Sequence, residues 1–491
     1  MKKRISLLLL CALLLSLSAC ADPVIGEAPA EAPVSADSTP MPDAVIHLEG
    51  DSVSAKLRGV AVSGSVVTIG APGSYTVRGT LDDGRIIVDL KETPGKVTLF
   101  LDGADITCLT DSAIYLAQAD ELNLVLAAGS ENRVVAGTEA DQGSYDETRQ
   151  GAAIFAEDDL DIQGEGSLTV LGYLNNGITC KDDLKIKGGS ISVTAVHNGI
   201  RASESVTMSG GTVTVLAGND GVKASSAKKA DKGFVQIEDG SLTVSAQGDG
   251  VSAETELRIS GGTLNIETTG DPDAGSCKGL KGKTGVTVSG GSLTVSATDH
   301  AVRSQAGLTV SGGELTLTST QAKGLAAETE LRIEGGTLAV TAADDGLASA
   351  DTVRVLGGEL LIRSGADGIQ GGKKGTGFAA AVGTVSFEGG RTLISAYNKP
   401  VDAKASFRIH DGLLFACGKG TPQPEAEIPW LLFPVKGSAG RLELFTASDE
   451  ATVLEAGYPF STVYFAAPSL TEGQSYTLKT VSGSQEATAS R

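Results

Sequence analysis

Apolar and polar residues alternate with a period of two along most of this chain, in short runs separated by glycine-rich turns. Positions 257–266 and 286–295 read Leu-Arg-Ile-Ser-Gly-Gly-Thr-Leu-Asn-Ile and Val-Thr-Val-Ser-Gly-Gly-Ser-Leu-Thr-Val. Each is an alternating strand, a tight Gly-Gly turn and a second alternating strand, so one face of every strand is apolar. Gly-Gly pairs recur at 188, 210, 261, 290, 312, 335, 357 and 389, with Asp239-Gly240 and Asp411-Gly412 as variants; most repeats therefore measure 22 or 23 residues and three are longer. One repeat predicts strands over 183–187 and 190–195, a turn at His197-Asn198-Gly199 and a short strand over 200–202. Three strands in about 22 residues predict one coil of a parallel β-helix. A propeller blade needs about 40 residues and a sandwich needs no fixed repeat, so both are disfavoured.

Aligning the repeats places Ile178, Ile200, Val222, Val251, Leu280, Val302, Leu325, Leu347, Ile369 and Val401 in one column. A second column holds Ile186, Met208, Ile237, Ile259, Val288, Val310, Ile333, Val355 and Phe387. In a stack of rungs about 4.8 Å apart, such columns are the core. Before residue 151 the repeat is weaker, with strands expected over 66–69, 75–78, 86–90, 97–101 and 122–126, turns at Asp82-Asp83-Gly84 and Asp102-Gly103, and an exposed loop over 137–150. The region 44–150 is read as an N-terminal cap with irregular first rungs, 151–417 as regular repeats, and 418–491, rich in aromatics, as a C-terminal β cap closing the open end.

The chain opens with Lys2, Lys3 and Arg4 before an apolar run over 5–17, which reads as a secretory signal over 1–19. Its end, Leu17-Ser18-Ala19-Cys20, is similar to the bacterial lipoprotein box, in which Cys20 would be lipidated; the proline-rich stretch 20–43 then reads as a disordered tether. The expected location is the outer face of the bacterial cell membrane. A formal charge of −21 argues against nucleic acid as a partner. Cys108, Cys180, Cys277 and Cys417 are far apart and show no metal-ligand spacing.

One turn column carries most of the chemistry: Asn176, Asn198, Asp220, Asp249, Lys278, His300, Lys323, Asp345, Asp367 and Lys399, most of them followed by Gly. Asx-Gly turn geometry explains each member singly. Stacked carboxylates and amides also suit calcium, which takes six to eight oxygens, and the candidate ligands are Asn198, Asp220, Asp249, Asp344, Asp345 and Asp367. Beside them Arg201, Lys223, Lys281 and Arg303 each follow a core residue of the short strand and so point outward. This row, interrupted by Ser252, Ala326, Ala348 and Gln370, either solvates the strand face or reads the carboxylates of an extended polymer. Longer repeats insert 225–233, 271–276 and 371–377 near the same column. The four histidines form no triad or zinc motif, and Tyr173 and Tyr397 are the candidate sugar contacts.

Gly73-Ser74-Tyr75-Thr76-Val77, Asp83-Gly84-Arg85-Ile86-Ile87-Val88, Ala113-Ile114-Tyr115, Asp159-Leu160-Asp161-Ile162 and the Asn-Gly-Ile and Gly-Gly repeats together resemble the clostridial carbohydrate-binding β-helix proteins. That resemblance implies a right-handed parallel β-helix similar in architecture to pectate lyases, calcium binding, and affinity for cellulose and acidic pectic polymers. The expected function is therefore surface-anchored, non-catalytic, calcium-assisted binding of polysaccharide, with no clear protein partner. The alternatives are a calcium-dependent polysaccharide lyase using an outward arginine as base, and a purely structural or adhesive solenoid.

Overall fold

A computed structural model describes residues 42–91, 93–141, 151–228, 231–372, 383–420, 423–446 and 451–491. The signal segment, Cys20 and nearly all of the tether lie outside the described residues, as do 142–150 of the expected loop and 373–377 of the third insert.

The described residues are all-β, and helix is confined among them to a 3-10 turn at Glu139–Asp141. Strands stack in parallel, in a β-helix-like arrangement, as three ladders. The shortest ladder runs from Ile114–Gln118 and Ile154–Ala156 through Ile178–Cys180, Ile200–Ala202 and Val222–Ala224 to Val401–Ala403, within a 15-stranded sheet. A middle ladder of four-residue strands such as Asp183–Ile186 and a long ladder of six-residue strands such as Ser190–Ala195 make up most of the second sheet. Registers step by one repeat: Ile178 lies opposite Ile200, Ile200 opposite Val222, and Leu325 opposite Leu347. Both aliphatic columns are therefore continuous, and the first extends upward through Ile154, Ile114, Ile86 and Val67. These side chains are fully buried or nearly so. Burying each aliphatic chain is worth about 1.5–3 kcal/mol, and repetition along the stack makes the ladders one core.

Most Gly-Gly corners separate two strands as expected, but some corners differ. Ser205–Ala217 and Thr384–Ala396 are single 13-residue strands that bend through the glycine pair without breaking, and Phe234–Ala246 and Ser406–Gly418 do so through Asp239-Gly240 and Asp411-Gly412. Asp102-Gly103, expected as a turn, likewise lies inside Lys96–Cys108. In each, the glycine has a positive φ, as at Gly211 (81°) and Gly103 (73°), and the pairing slips there as at a bulge.

Both ends of the stack are covered by antiparallel pairing, which keeps an open ladder edge from recruiting another strand. Val45–Gly50 pairs with Val53–Ser54, and Val60–Ser63 with Val66–Ile69. At the other end Thr462–Ala466 runs antiparallel to the last long strand, and a four-stranded antiparallel sheet packs Leu442, Leu444, Leu454 and Leu478 into a second core.

Candidate binding face on the short ladder

In the three-residue strands the first and third residues point into the core and the second points outward, half-buried in Ile200–Ala202, Val222–Ala224 and Val302–Ser304 but covered in Ile178–Cys180, Val251–Ala253, Leu325–Ala327 and Leu347–Ser349. Register therefore builds one outward column from Ile87 through Tyr115, Phe155, Thr179, Arg201, Lys223, Ser252, Lys281, Arg303, Ala326, Ala348 and Gln370 to Asp402. Arg201, Lys223, Lys281 and Arg303 are indeed on one face, but they are differently engaged. Lys223 Nζ lies 2.6 Å from Asp220 Oδ2, and Lys281 Nζ 2.7 Å from Asp249 Oδ2. Arg303 pairs with Glu328. The Arg201 guanidinium makes only a long contact, 3.5 Å, to Ser225 Oγ.

The turn column beside this face is a chain of acceptors. Asn176 Oδ1 accepts from the backbone N–H of Asn198 at 3.0 Å, Asn198 Oδ1 from Asp220 at 3.3 Å, Asp220 Oδ1 from Asp249 at 2.8 Å and Asp249 Oδ1 from Lys278 at 3.0 Å. The pattern resumes where Asp345 Oδ1 accepts from Asp367 N–H and Asp367 Oδ1 from Lys399 N–H, both at 3.0 Å. Each side chain thus satisfies the turn amide of the next rung, across a whole repeat, rather than its own turn as the Asx-Gly reading expects. The glycines that follow have no positive φ. They are required because a Cβ would strike the next rung: at Gly346 it would stand 2.3 Å from Ile362 Cγ2 and 2.6 Å from the Gly368 carbonyl oxygen.

Ammonium groups neutralise most of these carboxylates. Burial alone would push the Asp249 carboxyl up, yet the Lys281 ammonium and the hydroxyl of Ser276, 2.6 Å away, hold it below the usual carboxylate range. Lys323 pairs with Asp345 and lies 3.2 Å from Asp344. Lys278 and His300 converge on Asp299, whose carboxyl they hold low against its burial. Asp367 departs from this pattern: burial, and then the facing carboxylates of Asp345 and Asp402, raise its pKa. Asn198, Asp220 and Asp249 therefore offer calcium few uncommitted oxygens, whereas Asp367 faces Asp345 and Asp402, which are ion-paired to Lys323 and to Lys399 and Lys404. Among the described residues no group of three or more His, Cys, Asp or Glu side chains is arranged to hold a metal ion.

Where Ala326 and Ala348 interrupt the basic row, the face opens into a cleft of about 210 Å³. The two alanines are its apolar floor, and Arg303, Lys323, His300, Glu328 and Gln370 stand around it. Sequence reasoning treated these alanines as gaps; absence of bulk is what makes the space. The inserts also differ in role. Lys232, from the first, bridges Asp183 at 2.8 Å and Glu204 at 2.9 Å, and Ser276, from the second, binds Asp249, so both stabilise rung edges. Tyr173 is packed in the interior at 8% exposure, while Tyr397 is 45% exposed, edge-to-face with Tyr458 and under the Lys419 ammonium. The cysteines among the described residues are unpaired and buried, and burial pushes the Cys180 and Cys417 thiols up to about 12, so they are inert toward metals and oxidants at neutral pH.

The profile of a family described as "Carbohydrate-binding domain-containing protein" matches residues 63–324 and 313–428. A carbohydrate-binding domain-containing protein of Acetivibrio thermocellus is 39% identical over 158 residues, 31% of this chain and 54% of its own length, so the chain spans about half the length of that relative. A solved structure of a polysaccharide lyase-like protein from C. thermocellum, a gadolinium derivative, is 33% identical, with coverage of 50% of this chain and 96% of its own and a TM-score of 0.44.

Proposed function

This chain belongs to the family of carbohydrate-binding domain-containing proteins, and on that premise we propose that it binds polysaccharide, without cleaving it, along the outward face of the short ladder. The observation that carries this reading is the cleft over Ala326 and Ala348. It is an apolar floor of about one sugar ring's size, rimmed by cations and hydrogen-bonding groups, which is the composition a pyranose or uronate needs. Rungs repeat at about 4.8 Å, comparable to one sugar unit, so an extended glycan can lie along the face in register with it. Arg303, paired with Glu328 at the same rim, can offer its remaining guanidinium N–H groups to a uronate carboxylate.

Ala348 is covered at the floor of the cleft, at 4% exposure, and by register points outward from its strand, so Ala348→Tyr should fill the cleft and lower affinity for cello-oligosaccharides and oligogalacturonates about tenfold or more by isothermal titration. Unchanged affinity would move the site elsewhere, and absence of wild-type binding to either glycan would reject the function. The lyase alternative, with Arg201 or Arg303 as the outward arginine base, gains a second candidate in His300, which is oriented by Asp299 at the rim of the cleft; ultraviolet absorbance from an unsaturated uronate product would establish it.

Calcium assistance forms part of the proposal at Asp345 and Asp367, with Asp344 beside them. Burial first, and then the carboxylates of Asp345 and Asp402, raise the pKa of Asp367, and a divalent cation there would relieve both by supplying positive charge. Calcium is expected to raise the melting temperature of the wild type and not of Asp367→Asn; an unresponsive wild type rejects this part. The proposal also includes right-handed coils of about 22 residues, the common hand for parallel crossovers. It includes the division at 44, 151 and 418, and export with lipid anchoring through Cys20 at the outer face of the cell membrane. Support for export comes from the basic and apolar order of residues 2–17.

A further inference from the structure

The outward column that carries the cleft does not begin with the basic row. Three and two rungs before Arg201 it carries Tyr115 and Phe155, paired in register. Their ring centroids are 5.8 Å apart with planes tilted by 52°. The Arg85 guanidinium lies over Tyr115 at 5.3 Å, and the Lys181 ammonium over Phe155 at 5.7 Å. Arg85 is itself fixed by Asp111 at 2.6 Å. Both rings are half-buried. An outward aromatic pair contributes nothing to the aliphatic interior, whose residues on these strands are Ile114, Leu116, Ile154 and Ala156.

We propose that Tyr115 and Phe155 form a second glycan subsite that stacks neutral pyranose rings, on the same face as the cleft and rungs away from it; this rests on the carbohydrate-binding reading above. Neutral sugar is favoured over uronate by the local charge. Burial, and then the carboxylates of Glu157, Asp111 and Asp89, raise the pKa of the Tyr115 hydroxyl against the opposing pull of Arg85, and these three carboxylates outnumber the Arg85 and Lys181 cations over the rings, which disfavours a sugar carboxylate there. The same carboxylates accept hydrogen bonds from sugar hydroxyls. The apolar C–H face of a pyranose complements an aromatic ring, and because cation contacts already hold both rings, little side-chain entropy is lost on stacking.

Seven register steps separate Phe155 from Ala326, which at about 4.8 Å each is about 34 Å. One polymer can engage both subsites, whereas a short oligomer engages one. Binding should therefore strengthen sharply once a neutral glucan is long enough to bridge them.

The test uses titration of the wild type, Tyr115→Leu/Phe155→Leu and Ala348→Tyr with cello-oligosaccharides and a long soluble β-glucan. Leucine keeps apolar bulk on the strands, so melting temperature should hold near wild type. The expected result is an affinity for the long glucan about tenfold lower in the aromatic double variant, reduced to that of the short oligomers. Oligogalacturonate binding should be retained. A folded double variant that keeps the wild-type affinity and chain-length dependence overturns the subsite and leaves the cleft standing. Loss of binding in Ala348→Tyr alone does the same. A wild type that binds no glycan removes both.

Discussion

Gly346→Ala is expected to destabilise the protein by about 3 kcal/mol, read as a lower urea midpoint and melting temperature. The new methyl would stand 2.3 Å from Ile362 Cγ2 and 2.6 Å from the Gly368 carbonyl oxygen, and neither can retreat, since Ile362 is fully buried and the Gly368 carbonyl accepts from Leu347 N–H at 3.0 Å. Equivalent clashes await Gly199, Gly221, Gly250, Gly279, Gly324 and Gly368 against Val215, Val244, Ile266, Val295, Val340 and Ile394. The chain shows what relieves them. At two positions of this column it carries Ala301 and Pro400, and by register the next-rung residues there are Leu317 and Ala416, which lack the β-branch. Ile362→Leu should therefore recover part of the loss in the Gly346→Ala background while slightly destabilising the wild type. Two substitutions whose costs simply add would show that the contact is not the cause.

The interior was legible in the sequence because its rule is local. Period-two alternation sorts Ile200 and Ala202 inward and Arg201 outward without knowledge of any neighbour, and the repeat then aligns Ile178 through Val401 by counting. Features that depend on what lies one rung away were not legible in the same manner. Nothing local says that Asn176 caps Asn198, or that Lys281 spends its charge on Asp249, 32 residues back. The basic row was correctly placed on one face, but two of its four members are counterions of the turn column. Tyr115 and Phe155 escaped notice because they sit in the irregular rungs, where register steps of 28 and 40 residues hide the column they share with Arg201. Ala326 and Ala348 were visible only as interruptions, since a cleft is defined by the bulk around it.

Asp249 gives the second large effect. Asp249→Ala is expected to cost about 2–4 kcal/mol, because it removes an acceptor that is 1% exposed and serves three donors: Lys278 N–H, Ser276 Oγ and Lys281 Nζ. Asp249→Asn should cost less, since an amide oxygen still accepts from the backbone, but it leaves the Lys281 ammonium without its counter-charge. Pairing it with Lys281→Met should restore much of the stability, as replacing both ions avoids an unpaired buried charge. The pH dependence has a definite sign. The carboxyl is held lower in the folded protein than in the unfolded chain, where the ordinary value is about 3.9. Its contribution is therefore complete above about pH 4 and is lost as pH falls through the folded pKa. Urea unfolding of the wild type should weaken across that acid range, and Asp249→Asn/Lys281→Met should weaken less. Calcium provides the decisive contrast. If Asp249 is a counterion to Lys281, added calcium leaves the stability difference between wild type and double variant unchanged; a gap that widens with calcium would make Asp249 a ligand instead.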